Sequence, residues 1–138
     1  MEKKILVVEN DVPVRNVLEK AFRKNGYTVR SAESAEQALE ILKQEDIQVM
    51  FLDLKLPGMN GVDLCRQIRK DKPNANIHAM TGYTSLFDAG QCLNAGFCAD
   101  YFVKPVNLEV ICKAAQDAFE MLDTVEQKQI DGGDNLSH

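Results

Sequence analysis

The sequence predicts an open α/β sandwich, a parallel sheet doubly wound by helices on both faces. Three observations predict it. Short apolar runs alternate along the chain with longer segments of helical period. The runs are β-branched and aliphatic, as in strands buried on both faces. Turn and cap residues separate each run from the helical pattern that follows, and five strand–helix repeats of this kind build a parallel sheet with crossovers.

Ile5–Val8 is the first such run. Val14, Val17, Leu18, Ala21 and Phe22 then recur at the spacing of one helix face. Asp11 is placed to cap that helix, Pro13 suits its first turn, and Asn25-Gly26 ends it. A second strand is predicted over Tyr27–Arg30. Ser34 and Gln37 have the spacing of a capping box, with Ala38, Leu39 and Leu42 following on one face. Ile47–Leu52, apolar except for Gln48, reads as the third strand. Pro57-Gly58 and Asn60-Gly61 punctuate a loop. Val62, Cys65 and Ile68 continue as a helix that stops before Pro73. Asn76–Met80 is the fourth strand, Ser85–Ala95 a helix closed by Gly96, and Asp100–Val103 the fifth strand. Leu108, Ile111, Cys112, Ala115, Phe119 and Leu122 mark the stripe of a last helix. From about residue 124 the period is lost and Gly132-Gly133 appears. One domain over residues 1–123 and a polar, acidic, disordered tail over 124–138 are expected.

Composition narrows the function. The chain has 138 residues, 45% hydrophobic and 27% charged, values of a soluble globular domain. No apolar run approaches the roughly 18–20 residues that cross a bilayer. The N-terminal run is too short for a signal-peptide core; a cytoplasmic protein without membrane association is expected. The net charge is −5, and residues 123–138 contribute −3 of it. No basic stripe is present, so direct nucleic-acid binding is not expected. Cys65, Cys92, Cys98 and Cys112 are scattered, without a C-x-x-C pair, and read as small apolar residues of a reducing compartment. His78 sits in an apolar run as a strand residue, and His138 has no partner motif.

The chemistry is expected beyond the carboxyl ends of the strands, where ligands of open parallel sheets bind. Glu9, Asn10 and Asp11 follow the first strand, Asp53 the third, Thr81-Gly82 the fourth and Lys104-Pro105 the fifth. These parts suit phosphoryl transfer to a carboxylate. An Asp can attack an activated phosphoryl group, acids can hold Mg2+, an ammonium can neutralise a phosphoryl oxygen, and a hydroxyl can donate to another. Taken singly, each residue has a plainer reading: Asp53 as a cap, Thr81 as a strand end, Lys104 as a solvated lysine, Tyr101 as a core-edge aromatic. The combination carries the chemical reading.

Over roughly residues 3–122 the chain resembles the receiver domains of two-component response regulators. The resemblance rests on Ile5-Leu6-Val7-Val8-Glu9-Asn10-Asp11, on Asp53-Leu54-Lys55-Leu56-Pro57-Gly58-Met59-Asn60-Gly61, on Met80-Thr81-Gly82, on Ala95-Gly96 and on Asp100-Tyr101-Phe102-Val103-Lys104-Pro105. It implies a flavodoxin-like sheet of strand order 2-1-3-4-5 with five helices. It also implies that Asp53 accepts a phosphoryl group from a sensor histidine kinase or a phosphotransfer protein. Thr81 and Lys104 would close on that group beside Gly82, and Tyr101 would change rotamer. Glu9, Asn10, Asp53 and the Lys55 backbone carbonyl would hold Mg2+. The side chains of Lys55 and Tyr83 would border the pocket and tune dephosphorylation. Pro57 and Gly61 would shape the loop, and Lys104-Pro105 would be cis. The surface of the fourth helix, fifth strand and fifth helix would bind a downstream partner or a second receiver. No enzymatic activity is expected beyond self-phosphorylation from small donors and loss of the phosphoryl group. No output domain is expected, so the chain reads either as a stand-alone receiver or as part of a longer regulator.

One position departs from the family. Receivers usually carry two acids after the first strand, most often both Asp, and here the pair is Glu9-Asn10. The amide can ligate Mg2+ but brings no charge, so weaker metal binding is expected. A degenerate receiver that works as a phosphorylation-independent interaction module is the competing reading. A phosphohydrolase would be expected to place a second Asp where Lys55 stands. A flavin-binding module would need a hydroxyl- and glycine-rich loop where this chain is acidic.

Overall fold

The computed structural model describes residues 2–82, 89–98 and 101–136, with side chains of the last stretch described to residue 124. Ten elements alternate: β1 (Lys4–Val8), α1 (Val12–Lys24), β2 (Thr28–Ala32), α2 (Ala35–Gln44), β3 (Val49–Asp53), α3 (Gly61–Asp71), β4 (Asn76–Thr81), α4 (Ala89–Ala95), β5 (Tyr101–Val103) and α5 (Leu108–Leu136). The strands form one parallel sheet in the order β2-β1-β3-β4-β5. The flavodoxin-like architecture expected from the sequence is present.

Strand alternation divides the core between the two faces. Ile5, Val7, Val49 and Phe51 point to a layer made by Leu18 and Phe22 of α1 and by Ile111, Ala115 and Phe119 of α5. Leu6, Val8, Met50 and Leu52 point the other way, against Ile41 of α2, Leu64 and Ile68 of α3, and Cys92 and Ala95 of α4. β3 and β4 are buried throughout, which is why their sequences show no clean polar alternation. The aromatic stack Phe22–Phe51–His78, with centroids 5.1 and 4.8 Å apart, places His78 within β4 as a packing residue. None of the four cysteines, all among the described residues, is joined in a disulfide.

Local signals hold the helix starts. The Asp11 carboxylate accepts from Val14 N–H at 3.2 Å, and Ser34 Oγ accepts from Gln37 N–H at 3.2 Å. The Gln37 side chain reaches back to Glu33 N–H at 2.7 Å, one residue before the cap. Asn60 caps α3 through Asp63 N–H at 2.9 Å. Gly26 turns α1 into β2 with φ +90°.

Some boundaries differ from the sequence reading. β2 begins at Thr28 rather than Tyr27 and runs on to Ala32. Tyr27 instead stacks on Phe119 at 5.1 Å, since an aromatic ring gains more from that core edge than from the ladder. β3 begins at Val49 and includes Asp53. Residues 85–88 of the expected fourth helix lie outside the described residues. α5 continues to Leu136. The apolar stripe ends near Leu122, but Glu126, Gln127, Lys128 and Gln129 are good helix formers, and loss of period does not by itself end a helix. Among the described residues no helix is long and apolar enough to cross a membrane.

Candidate functional site

The site lies at the carboxyl ends of β1, β3, β4 and β5. Parallel pairing sets Val8 beside Leu52 and Asp53 beside Met80, so the residues that follow the strands emerge along one edge. Glu9 leaves β1 wholly buried. Its N–H donates to Ala32 O at 2.9 Å, and its carbonyl accepts from Arg15 Nη1 at 2.8 Å. Asp53 ends β3 with 4% exposure. One of its carboxylate oxygens, Oδ1, accepts from Lys55 N–H at 3.1 Å.

Lys104 joins the two acids. Its Nζ lies 2.8 Å from Glu9 Oε1, 2.7 Å from Glu9 Oε2 and 3.1 Å from Asp53 Oδ2. The Oε2 contact is ionic rather than a directed hydrogen bond. The Lys104 N–H donates to Thr81 O at 2.8 Å, and the Lys104-Pro105 peptide is cis.

The electrostatics are those of a tight, partly dehydrated triad. Burial pushes the Glu9 carboxyl above its ordinary range; Lys104 opposes this and the Asp53 charge adds to it. Burial alone would lower the Lys104 ammonium, but the Glu9 hydrogen bond and the two carboxylate charges outweigh it and push the group up. Lys104 therefore stays charged.

Around the triad opens a cleft of about 630 Å3, lined by Asn10, Asp11, Lys55, Pro57 and Gly82 as well as the triad itself. Asn10 and Asp11 are both exposed there. Asp11 serves as the α1 cap while its own N–H donates to Glu9 Oε1 at 3.2 Å. Thr81 is 3% exposed at the end of β4, next to Gly82. Gly61 reaches the site from below: its N–H donates to Leu54 O at 3.0 Å, and a Cβ there would stand 2.2 Å from Asp53 O. Tyr101 is 40% exposed on β5, away from the cleft lining. Tyr83 lies outside the described residues.

The donor set suits a hard cation. Carboxylate oxygens of Glu9 and Asp53 and the amide of Asn10 line the cleft, and hard oxygen donors are the kind Mg2+ takes one or two of while keeping water. Among the described residues no group of three His, Cys, Asp or Glu side chains is arranged for a metal. Beside Asn10 the cleft carries three carboxylates, those of Glu9, Asp53 and the helix cap Asp11, and Lys104 lies against the first two.

Sequence reasoning passed over Arg15. An arginine in the first turns of an amphipathic helix reads as solvated, and only its spacing, one turn beyond the cap Asp11, could have drawn notice.

Comparison with known proteins gives a consistent result. Residues 5–116 match the model of the response regulator receiver domain. The chain is 35% identical over 109 residues to response regulator MprA of Mycobacterium ulcerans, covering 79% of this chain and 47% of that protein. It is 32% identical over 107 residues to a cyclic di-GMP phosphodiesterase of Thermotoga maritima, covering 78% of this chain but 28% of the enzyme. The chain thus spans less than half the length of these two relatives. Sporulation initiation phosphotransferase F of Bacillus subtilis is 30% identical over 116 residues, covering 84% of this chain and 93% of that one. Among solved structures, a receiver domain protein of Methanospirillum hungatei superposes with a TM-score of 0.82 at 31% identity, covering 93% and 99% of the two chains. The receiver domain of Ssk1 from Saccharomyces cerevisiae, crystallised with the histidine phosphotransfer protein Ypd1, gives 0.76 at 27% identity, covering 85% and 88%.

Proposed function

This chain belongs to the response regulator receiver domain family of two-component signalling, and on that footing we propose that it is a phosphorylation switch whose acceptor is Asp53. The observation that carries the reading is the Lys104 ammonium held between Glu9 and Asp53 at the mouth of a cleft. Such a triad presents a nucleophilic carboxylate next to a fixed positive charge, the pairing that phosphoryl transfer needs.

In the proposed reaction an Asp53 carboxylate oxygen attacks the phosphorus of a phosphohistidine on a kinase or phosphotransfer partner. The new P–O bond forms as the P–N bond breaks, and the bonding pair returns to the imidazole nitrogen, which takes up a proton. Lys104 shifts from the Asp53 carboxylate to a phosphoryl oxygen, and the Thr81 hydroxyl donates to another. Bound Mg2+, held by Glu9, Asn10, Asp53 and the Lys55 carbonyl, would supply charge neutralisation at the transferring group. Lys55 and Tyr83 would border the acyl phosphate and set its lifetime. The Ypd1–Ssk1 pairing supports a phosphotransfer partner of this kind.

The output follows from a biased equilibrium rather than a new fold. Tyr101, exposed in this state, would turn inward as Thr81 moves. Leu93 of α4, Val103 of β5 and Val110 of α5, each about half exposed, then form the surface that a downstream protein or a second receiver would read.

Asn10 in the cleft favours a second reading, an interaction module that no longer needs phosphorylation. It would also lower the charge opposing the active arrangement and give partial activity without phosphate. Incubation with acetyl phosphate, with and without Mg2+, followed by intact mass measurement separates the two. One added phosphoryl group, lost in Asp53→Asn and gained at lower Mg2+ in Asn10→Asp, is the expected result. No adduct in the natural sequence under any condition, with one appearing in Asn10→Asp, would establish the second reading instead.

A further inference from the structure

We propose that Arg15 is a positioning residue for phosphoryl transfer, acting through the backbone of Glu9 on Lys104. The proposal rests on Asp53 being the acceptor. Arg15 stands on α1 with a side chain only 12% exposed. Its Nη1 donates to the Glu9 carbonyl at 2.8 Å. Its other terminal nitrogen lies 3.6 Å from Glu33 Oε1, a carboxylate 67% exposed. A pair that open contributes little, so the buried carbonyl contact explains where the guanidinium sits.

Glu9 is the residue whose placement matters. It has left the β1 ladder, yet both of its backbone groups are held: the N–H by Ala32 O at 2.9 Å, the carbonyl by Arg15. Its two carboxylate oxygens then take the Lys104 ammonium at 2.7 and 2.8 Å. Lys104 in turn reaches Asp53 Oδ2 at 3.1 Å. A continuous line of contacts therefore runs from α1 to the acceptor, and Arg15 is the link at which the helix sets the height of the β1–α1 corner. Without it the Glu9 carbonyl would lose its donor. The Glu9 peptide could then rotate and carry the carboxylate away from Lys104. A displaced positive charge costs rate steeply, because the transition state tolerates little misplacement.

Three variants at Arg15 and Glu33, one assignment variant at Lys104 and two measurements decide it. In Arg15→Ala the rate of adduct formation from acetyl phosphate at saturating Mg2+ is expected to fall about tenfold or more. Arg15→Lys keeps one N–H donor for this single-donor contact and should recover most of the rate. Glu33→Gln should leave it unchanged. The second measurement needs no phosphate: the Lys104 side-chain ammonium is followed by NMR in the metal-free protein, assigned through Lys104→Arg. Its hydrogen-bonded protons are expected to exchange faster in Arg15→Ala and to be protected again in Arg15→Lys, while the melting temperature falls by less than about 4 °C.

An unchanged Lys104 signal in Arg15→Ala overturns the proposal, as does a loss in Glu33→Gln equal to that of Arg15→Ala. A rate that falls only in step with stability, without rescue by Lys, also overturns it. Should the natural protein take no phosphoryl group at all, Asp53 fails as acceptor, and the ammonium measurement still decides whether Arg15 holds Lys104 in place.

Discussion

Gly61 shows how closely the backbone itself is built into the site. A methyl group there would meet Asp53 O at 2.2 Å and Leu54 Cα at 2.8 Å, and both neighbours are backbone that cannot swing aside. Gly61→Ala should therefore push the end of β3 out of register with Lys104. A loss of about 1–3 kcal/mol is expected from such overpacking, read as a lower urea midpoint, together with slower phosphorylation of whatever remains folded. A midpoint equal to that of the natural protein would show that the loop has room the geometry denies. Lys104 illustrates the complementary case: an amino group lifted above its ordinary range because two carboxylates outweigh its burial. Its charge is fixed by contacts and does not switch near neutral pH.

Among the elements, α4 has its C-terminal end fixed by side chains of α3. Its C-terminal end is clamped by Arg69 of α3, whose Nη2 donates to Gly96 O at 2.5 Å while Nη1 donates to Ala75 O at 2.6 Å and Pro73 O at 2.9 Å. The Cys65 thiol adds a bond to Ala95 O at 3.4 Å, and burial pushes that thiol up to about 12, so it remains a neutral donor. Gly96, at φ +107°, has no room for a side chain: a Cβ would lie 2.9 Å from Arg69 Nε. Arg69→Ala leaves several carbonyls without their charged donor, and a destabilisation of about 2 kcal/mol is expected. Hydrogen exchange should locate the effect, with the Phe97 and Cys98 amides, bonded to Cys92 O and Ile77 O, exchanging faster than those of β1. Equal acceleration across the chain would mean that the clamp serves global stability and not this helix end.

At the scale of the molecule, two apolar layers share the strands between them. Val7 and Phe51 face one layer, Val8 and Leu52 the other, so neither layer can open without disturbing the sheet that carries the second. Phe22→Ala removes a ring stacked on Phe51 at 5.1 Å and should cost about 3–5 kcal/mol. Unfolding should nevertheless stay a single transition, with near- and far-ultraviolet circular dichroism coinciding. Transitions that separate would show that the face of α1 and α5 melts independently of the face of α2, α3 and α4. The edge that carries Glu9, Asp53 and Lys104 is anchored in both layers, as the proposed coupling to the surface of α4, β5 and α5 requires.

The sequence by itself determined the order and kind of the elements, the caps at Asp11 and Ser34, and the set of polar residues at the strand ends. Those features are encoded locally, by apolar period and by side chains that bond to backbone a few residues away. Tertiary structure alone decided that Glu9, more than Asp53, holds Lys104, since their contact joins residues 95 positions apart and depends on strand order. It also decided that Arg15 reaches a buried carbonyl, that Gly61 must be bare, and that Tyr27 leaves the strand for Phe119. Each is a distance between elements, which no local pattern records. Apolar period reports where a helix packs and helix propensity how far it can run; α5 extends to Leu136, beyond the apolar stripe that ends near Leu122.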